Sequence, residues 1–373
     1  MYMNLFKRTH SLLLFFFIAL MFGSQAHAAC GANTRTWQAD EGSSRWDRNN
    51  NWNPRNWPST NTENAVVESD WYFPDYPNRN ITLGCFEIQS GLLTVDRNRT
   101  LTIEGDYFRS YSANAFQMSD PVGSGFTVYM DGTAEQFFDL NDDLSILQIG
   151  NPTTVNIGSH PFIHNEFIID AGAGVINLNS DFDIMSTAAD VTIPSGASVI
   201  VKNGSTFRVQ RNLTVNGVLR VEAGGRVEIG DGRTLTIGAA GTLLLNGSAG
   251  NIASLDAYNG GRFTLNVAGA LNLNYFSISR TQTAGVNLTG SLQFIQNGDF
   301  NYIQTNGYAM TLGASASAPV SWNTIGFYEQ GGAGTQRNIN ATAYSGSVIT
   351  INDWSGIGGT PNETDPSNKL TWG

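Results

Sequence analysis

Three aspartates are the residues best suited by type and spacing to do chemistry. Asp181 and Asp183 alternate, so on a strand both side chains leave by the same face. Asp170 lies about half a structural repeat earlier. Carboxylates grouped in this way serve as the paired acid and base of a glycoside hydrolase, or as calcium ligands in a polysaccharide lyase. A lyase also needs a base beside them to take the proton α to a uronate carboxylate. Lys202, Arg208 and Arg211 are near in sequence, but no spacing fixes them there.

Other constellations are weaker. His160 and His164 stand in Ser159-His-Pro-Phe-Ile-His-Asn-Glu166. On a helix they would share a metal ion, but Pro161 and the strand-like context oppose a helix. On a strand, residues four apart are separated by about 13 Å. They read as exposed loop and strand histidines. The run Asp139-Leu-Asn141-Asp-Asp143 begins like a calcium loop, yet Leu144 stands where glycine is required and Gly150 where a closing glutamate belongs. A calcium ion at Asp139, Asn141 and Asp143 and a solvated acidic loop both remain open readings. No other cofactor is implied. There is no Ser/His/Asp set, and Gly230-Asp-Gly232 and Gly331-Gly-Ala-Gly334 lack the strand-to-helix setting of a phosphate loop.

The elements that must position these residues are short and repeated. Between Val191 and Gly247, apolar runs of three or four residues alternate with turns of Gly, Asn and Ser: Val191-Thr-Ile193, Ser198-Val-Ile-Val201, Phe207-Arg-Val209, Leu213-Thr-Val215, Val218-Leu-Arg-Val221, Val227-Glu-Ile229, Leu235-Thr-Ile237 and Leu243-Leu-Leu245. Strands this short gain stability when each stacks on its equivalent in the coils above and below. That is an all-β parallel solenoid, with the chain as a rod. Similar runs start at Ile81, with Gly84, Gly91 and Gly105 at corners where a positive φ is expected. In Leu271-Asn-Leu-Asn-Tyr-Phe-Ser-Ile278 the asparagines predict amide ladders along inward corners.

Composition agrees with this reading. Glycine is frequent (41 of 373 residues) and charged residues are scarce at 14%, unlike a helical protein. Residues 1–28 read as a secretory signal: Lys7 and Arg8, an apolar run from Leu12 to Phe22, and Ala26-His27-Ala28 before the cleavage point. Export exposes Cys30 and Cys85 to an oxidising space, where a single disulfide would tie the mature N-terminus to an early coil. In the chain-entropy model such a loop contributes roughly 4 kcal/mol. Two unpaired buried thiols are the alternative. The formal charge is −11, and loss of Lys7 and Arg8 takes it to −13. Nucleic acid and anionic membranes are poor partners for such a surface. No second apolar run reaches membrane length.

Residues 29–75 differ in composition from the rest of the chain, with Trp37, Trp46, Trp52, Trp57 and Trp71 crowded together. An open first coil would present its apolar interior to water, so this segment reads as an N-terminal cap in preference to a sugar-stacking platform. The solenoid then runs over 76–339, and 340–373 supplies final coils and a closing cap with Trp372. Capped ends predict a monomer.

Trp37, Gly42, Trp46, Asn51-Trp52 or Asn56-Trp57, Pro58 and Ala65-Val66-Val67 resemble the opening of many exported bacterial β-solenoids. The block from Ser195 to Gly247 resembles the right-handed parallel β-helix repeat of large secreted and surface proteins. The close, Ile351-Asn-Asp-Trp-Ser-Gly through Trp372, resembles that of uncharacterised members of the same group. The resemblance implies a single-stranded right-handed parallel β-helix, a hand that parallel crossovers favour in general. It also implies adhesins, autotransporter passengers, envelope proteins and polysaccharide lyases as functional relatives, although the translocation barrel of autotransporters is lacking. The sequence therefore predicts a secreted, non-catalytic solenoid in the extracellular space, at the cell surface or in the periplasm. It would have a structural or adhesive role toward a cell-envelope or extracellular polysaccharide or a surface protein. A lyase or hydrolase built on Asp170, Asp181 and Asp183 is the alternative.

Overall fold

A computed structural model of the chain describes residues 33–37, 45–68, 77–90, 93–95, 98–110, 116–118, 120–329, 337–356 and 363–373. These residues wind into a parallel β-solenoid whose coils have three faces. The first face is a ladder of fifteen strands, from Thr34–Trp37 through Asn64–Val67, Phe86–Ile88, Thr154–Ile157 and Val218–Glu222 to Leu370–Trp372. At the usual spacing of about 4.8 Å per strand the rod is about 65 Å long. The second face includes Phe182–Ile184, Thr206–Val209, Arg226–Ile229 and Ala253–Ala257, then the later halves of Ala270–Ser279, Ser291–Ile303 and Ser321–Glu329. The third runs from Val191–Ile193 through Leu213–Val215, Thr234–Ile237, Phe263–Val267, Thr281–Leu288 and Tyr308–Leu312 to Arg337–Asn340. Earlier third-face strands, Ile81–Leu83 to Phe162–Ile169, form their own ladder. The two third-face ladders are not paired with each other between Ile169 and Val191.

Period-two patterning produces the interior. Phe207 and Val209 are fully buried and Arg208 points out, and the same alternation holds for Leu235 and Ile237 around Thr236. Each inward aliphatic contributes about 1.5–3 kcal/mol by leaving water. Aromatic side chains stack coil upon coil along this interior. Phe86, Phe108 and Phe138 lie 5.3 and 5.2 Å apart by ring centroid, and Phe276, Phe300 and Phe327 lie 5.3 and 5.7 Å apart. The asparagines of Leu271–Leu273 do not line an inward corner, because the inward positions of that strand are leucines. Their amides form ladders on the outer surface instead: Asn272 donates to Gln293 at 2.9 Å, Gln296 to Asn274 at 3.3 Å and Asn352 to Asn323 at 3.0 Å.

The corner glycines also act differently from expectation. Gly84 and Gly105 do not have positive φ, and Gly91 lies outside the described residues. They belong to a column at the corner between the third and first faces that includes Gly217, Gly241, Gly269 and Gly290. A Cβ at Gly105, Gly269 or Gly290 would come within 2.2 Å of the carbonyl oxygen of the preceding glycine in the column, and one at Gly241 within 2.0 Å of the Val215 oxygen. Close approach of backbone, not handedness, selects glycine there. Positive φ is found at other glycines, such as Gly204 and Gly224, and in this corner at Gly196, outside the column.

The tryptophan-rich segment closes the rod. Trp37, Trp46 and Trp52 are buried and pack edge to face at 5.3 and 4.5 Å, with Trp46 seated over Phe86 at 6.0 Å. Trp52 donates its indole N–H to the Trp46 carbonyl at 2.7 Å. The two-residue strand Trp52–Asn53 runs antiparallel along Thr34–Trp37 and covers the first rung of the first face. The ladder thus begins inside the segment expected to be only a cap. Trp57 is half-buried with the Arg79 guanidinium 3.9 Å above it, and Trp71 lies outside the described residues. At the other end Trp372 packs against Phe327 and Trp354 at 6.0 and 5.0 Å. The expected signal segment 1–28 and Cys30 lie outside the described residues; Cys85 is buried. Among the described residues no helix is long and apolar enough to cross a membrane.

Gly241→Ala is expected to destabilise the fold by about 1–3 kcal/mol through overpacking between coils. Gly172→Ala is the control: no atom lies within 4 Å of its added Cβ, and the cost should stay within about 0.5 kcal/mol. Chemical denaturation of both variants measures this, and equal stabilities would refute the close-approach account.

Candidate functional site

Outward positions of the second face carry charge in register. Phe162 pairs with Asp183, Asp183 with Arg208, Arg208 with Glu228 and Glu228 with Asp256 along successive coils. Arg208 is the centre of this column. Its Nη2 lies 2.9 Å from Asp181, its Nη1 3.1 Å from Asp183 and its Nε 2.9 Å from Glu228. Arg226 then bridges Glu228 and Asp256, each at 2.9 Å, and Arg280 reaches Asp256 at 2.7 Å. Glu228 and Asp256 are like charges on adjacent coils, and Arg226 from a neighbouring position stands between them, so each carboxylate still meets a guanidinium. Burial pulls the Arg208 guanidinium down, but the charges of Asp183 and Asp181 outweigh it and hold its pKa above the ordinary arginine value.

This geometry constrains the chemistry that the aspartates can do. Asp181 and Asp183 do share a face, as alternation requires. The space between them is filled by the Arg208 fork, where a hydrolase would need a sugar ring or a water. Arg208 is also fixed as a cation and cannot accept a proton. Asp170 is not brought to this face. It sits at the end of a third-face strand, accepting hydrogen bonds from Tyr129 at 2.9 Å and Gln148 at 3.0 Å. Burial, then the bond to Asp170, raises the Tyr129 phenol above the ordinary tyrosine value.

The histidines are half-buried, not exposed, and they do not meet. His160 stacks on Phe162 with ring centroids 4.4 Å apart, and its Nε2 lies 3.2 Å from Asp183. His164 contacts Asp143 at 2.8 Å. Asp139 is paired with Arg109 at 3.2 Å, so Asp139 and Asp143 are engaged by different side chains, while Asn141 is exposed. Asp142, between them, is buried and accepts the Phe116 backbone N–H at 3.1 Å. Among the described residues no three His, Cys, Asp or Glu side chains gather as a metal site.

Two features were not read from the sequence. Along the corner after the second face, Arg280 lies 4.1 Å over the ring of Tyr302, both at positive φ (57° and 53°). Ile303 pairs with Glu329, which sets Tyr328 beside Tyr302 across a bulge; Tyr302 is 44% and Tyr328 42% exposed. Nearby, burial raises the Asp299 carboxyl above the usual aspartate range. Further back on the same corner is a groove of about 340 Å³ lined by Ser186, Gln210, Asp231, Arg233, Tyr258 and Asn259. These residues belong to successive coils, so only aligned repeats would have placed them together.

No protein-family model, curated protein or solved structure matches the chain.

Two variants test the electrostatics of the second face in one pH series of thermal unfolding. Arg208→Met leaves three carboxylates short of their shared counter-ion. It should cost about 2 kcal/mol at neutral pH, a value discounted for partial exposure. Asp299→Asn has the opposite sign. A carboxyl with a raised folded pKa favours the fold while protonated, and this contribution is lost as pH rises from the unfolded pKa through the folded one. Asp299→Asn should therefore raise the melting temperature at neutral pH. The gain should vanish at pH about 3, below the ordinary aspartate value. A neutral-pH loss in Asp299→Asn would contradict this.

Proposed function

We propose that the chain is an exported, non-catalytic β-solenoid that acts as a structural or adhesive element at the cell surface or in the surrounding matrix. Its partner in this reading is a cell-envelope or extracellular polysaccharide. One observation carries the proposal: Arg208 occupies the gap between Asp181 and Asp183, so the carboxylates best placed for catalysis are used to join coils. The capped, ladder-built rod supports a mechanical or display role, and it acts as a monomer. Export supports a disulfide between Cys30 and Cys85, which would anchor the cap.

One arrangement favours the alternative of a polysaccharide lyase or hydrolase. The His160 ring lies 3.2 Å from the Asp183 carboxylate, a proximity that a base and its charge partner would need. In that reading His160 would take the proton and Arg208 would face the substrate's charge.

The two readings separate in one experiment on the mature protein. Incubated with polygalacturonate, alginate and a neutral glucan, it should release no unsaturated product and no reducing ends above a protein-free control. Turnover that disappears in His160→Ala or Asp183→Asn would replace the structural reading with the enzymatic one. Peptide mapping of the same preparation without reductant should give a cross-linked Cys30–Cys85 peptide; two free thiols would remove the anchor.

A further inference from the structure

We infer that the groove at the corner after the second face is a binding site for an uncharged pyranose unit of a glycan. This rests on the adhesive reading above and names its site. The groove's volume, about 340 Å³, is at the lower end of the range for small-molecule sites. It spans several coils: Ser186 and Gln210 follow Phe182–Ile184 and Thr206–Val209, Asp231 and Arg233 follow Arg226–Ile229, and Tyr258 and Asn259 follow Ala253–Ala257.

The lining has groups that the fold itself leaves unused. The Arg233 guanidinium makes no hydrogen bond or close ion pair with any described residue, and the Tyr258 hydroxyl has no hydrogen-bond partner among them. Elsewhere on this surface arginines are committed to carboxylates, as Arg208, Arg226 and Arg280 are. Asp231 is held in place because one carboxylate oxygen accepts the Arg262 backbone N–H at 2.9 Å, which leaves the other oxygen for a ligand.

Donor and acceptor thus line one groove. A guanidinium donates to one hydroxyl of a vicinal diol while a carboxylate accepts from its neighbour. The Tyr258 ring supplies apolar surface for the C–H face of a sugar, and the Gln210 amide and Ser186 hydroxyl widen the polar rim. Charge selects the class. Arg211 and Arg233 are matched in number by Asp190 and Asp231: Arg211 pairs with Asp190 at 3.5 Å, and the Asp190 carboxyl is held below the ordinary range by the Asn212 amide, then by Arg211 and more weakly by Arg233. With the mature chain at −13, a polyuronate would be repelled, whereas an uncharged glycan would not. The corner continues toward Arg280, Tyr302 and Tyr328, so a longer chain has further surface along the rod.

The test uses the mature protein on an array of neutral and uronic oligosaccharides, then titration of the strongest neutral binder. Binding to neutral glycans is expected, with at least a tenfold loss of affinity in Tyr258→Ala and in Arg233→Ala at unchanged melting temperature. Tyr258→Phe should keep most of the affinity, since the ring remains. Neutral-glycan binding that neither alanine variant weakens would overturn the groove and leave the adhesive reading standing. Preference for uronic glycans would overturn the assigned class. No binding to any glycan would overturn both the groove and the glycan-adhesive reading.

Discussion

The whole structure depends on axial backbone hydrogen bonding between coils. A strand of three or four residues satisfies few of its own groups, and its N–H and C=O partners lie one turn of the solenoid away. Once the first face is in register from Thr34–Trp37 to Leu370–Trp372, the other faces have little freedom, because short corners join them. Register then dictates which side chains become neighbours. Phe86 meets Phe108 and Phe138 inside for the same reason that Asp183 meets Arg208 and Glu228 outside.

The two surfaces of the sheet use this repetition differently. Inside, like stacks on like, and apolar side chains form a continuous dry column. Outside, identical charges one coil apart would repel. The second face avoids this by setting guanidinium groups between its carboxylates, and the first face by amides, which can donate and accept along a ladder. The groove beside Tyr258 is the exception, where Arg233 bridges no carboxylates of successive coils.

Much of the fold was legible because period-two patterning is a local signal. Val227-Glu-Ile229 and Leu235-Thr-Ile237 announce which residues turn inward without reference to anything distant. The N-terminal cap was legible because tryptophans crowded before the first regular coils, Trp37, Trp46 and Trp52 among them, have few other uses. The corner glycines were misread because sequence does not separate a positive φ from a close carbonyl; Gly224 has the first and Gly241 the second. The site was harder, since its contacts span one coil. Asp181-Phe-Asp-Ile184, Thr206-Phe-Arg-Val209 and Arg226-Val-Glu-Ile229 align when the repeats are superposed, and that alignment alone would have put Arg208 against both aspartates. Asp170 would be their equivalent only if half a coil kept the same face, whereas it carries a residue to a different one.

The unpaired stretch in the third face has a mechanical consequence. Between the coil ending at Ile169 and the one containing Val191, that face contributes no ladder, and the second face contributes only the rungs Phe162–Asp183 and Ile163–Ile184. The first face carries the junction with four, from Thr154–Val175 to Ile157–Leu178. Stiffness there is lopsided. A bending torque toward the third face meets less resistance at this joint than one toward the first, giving the spar a built-in direction of compliance.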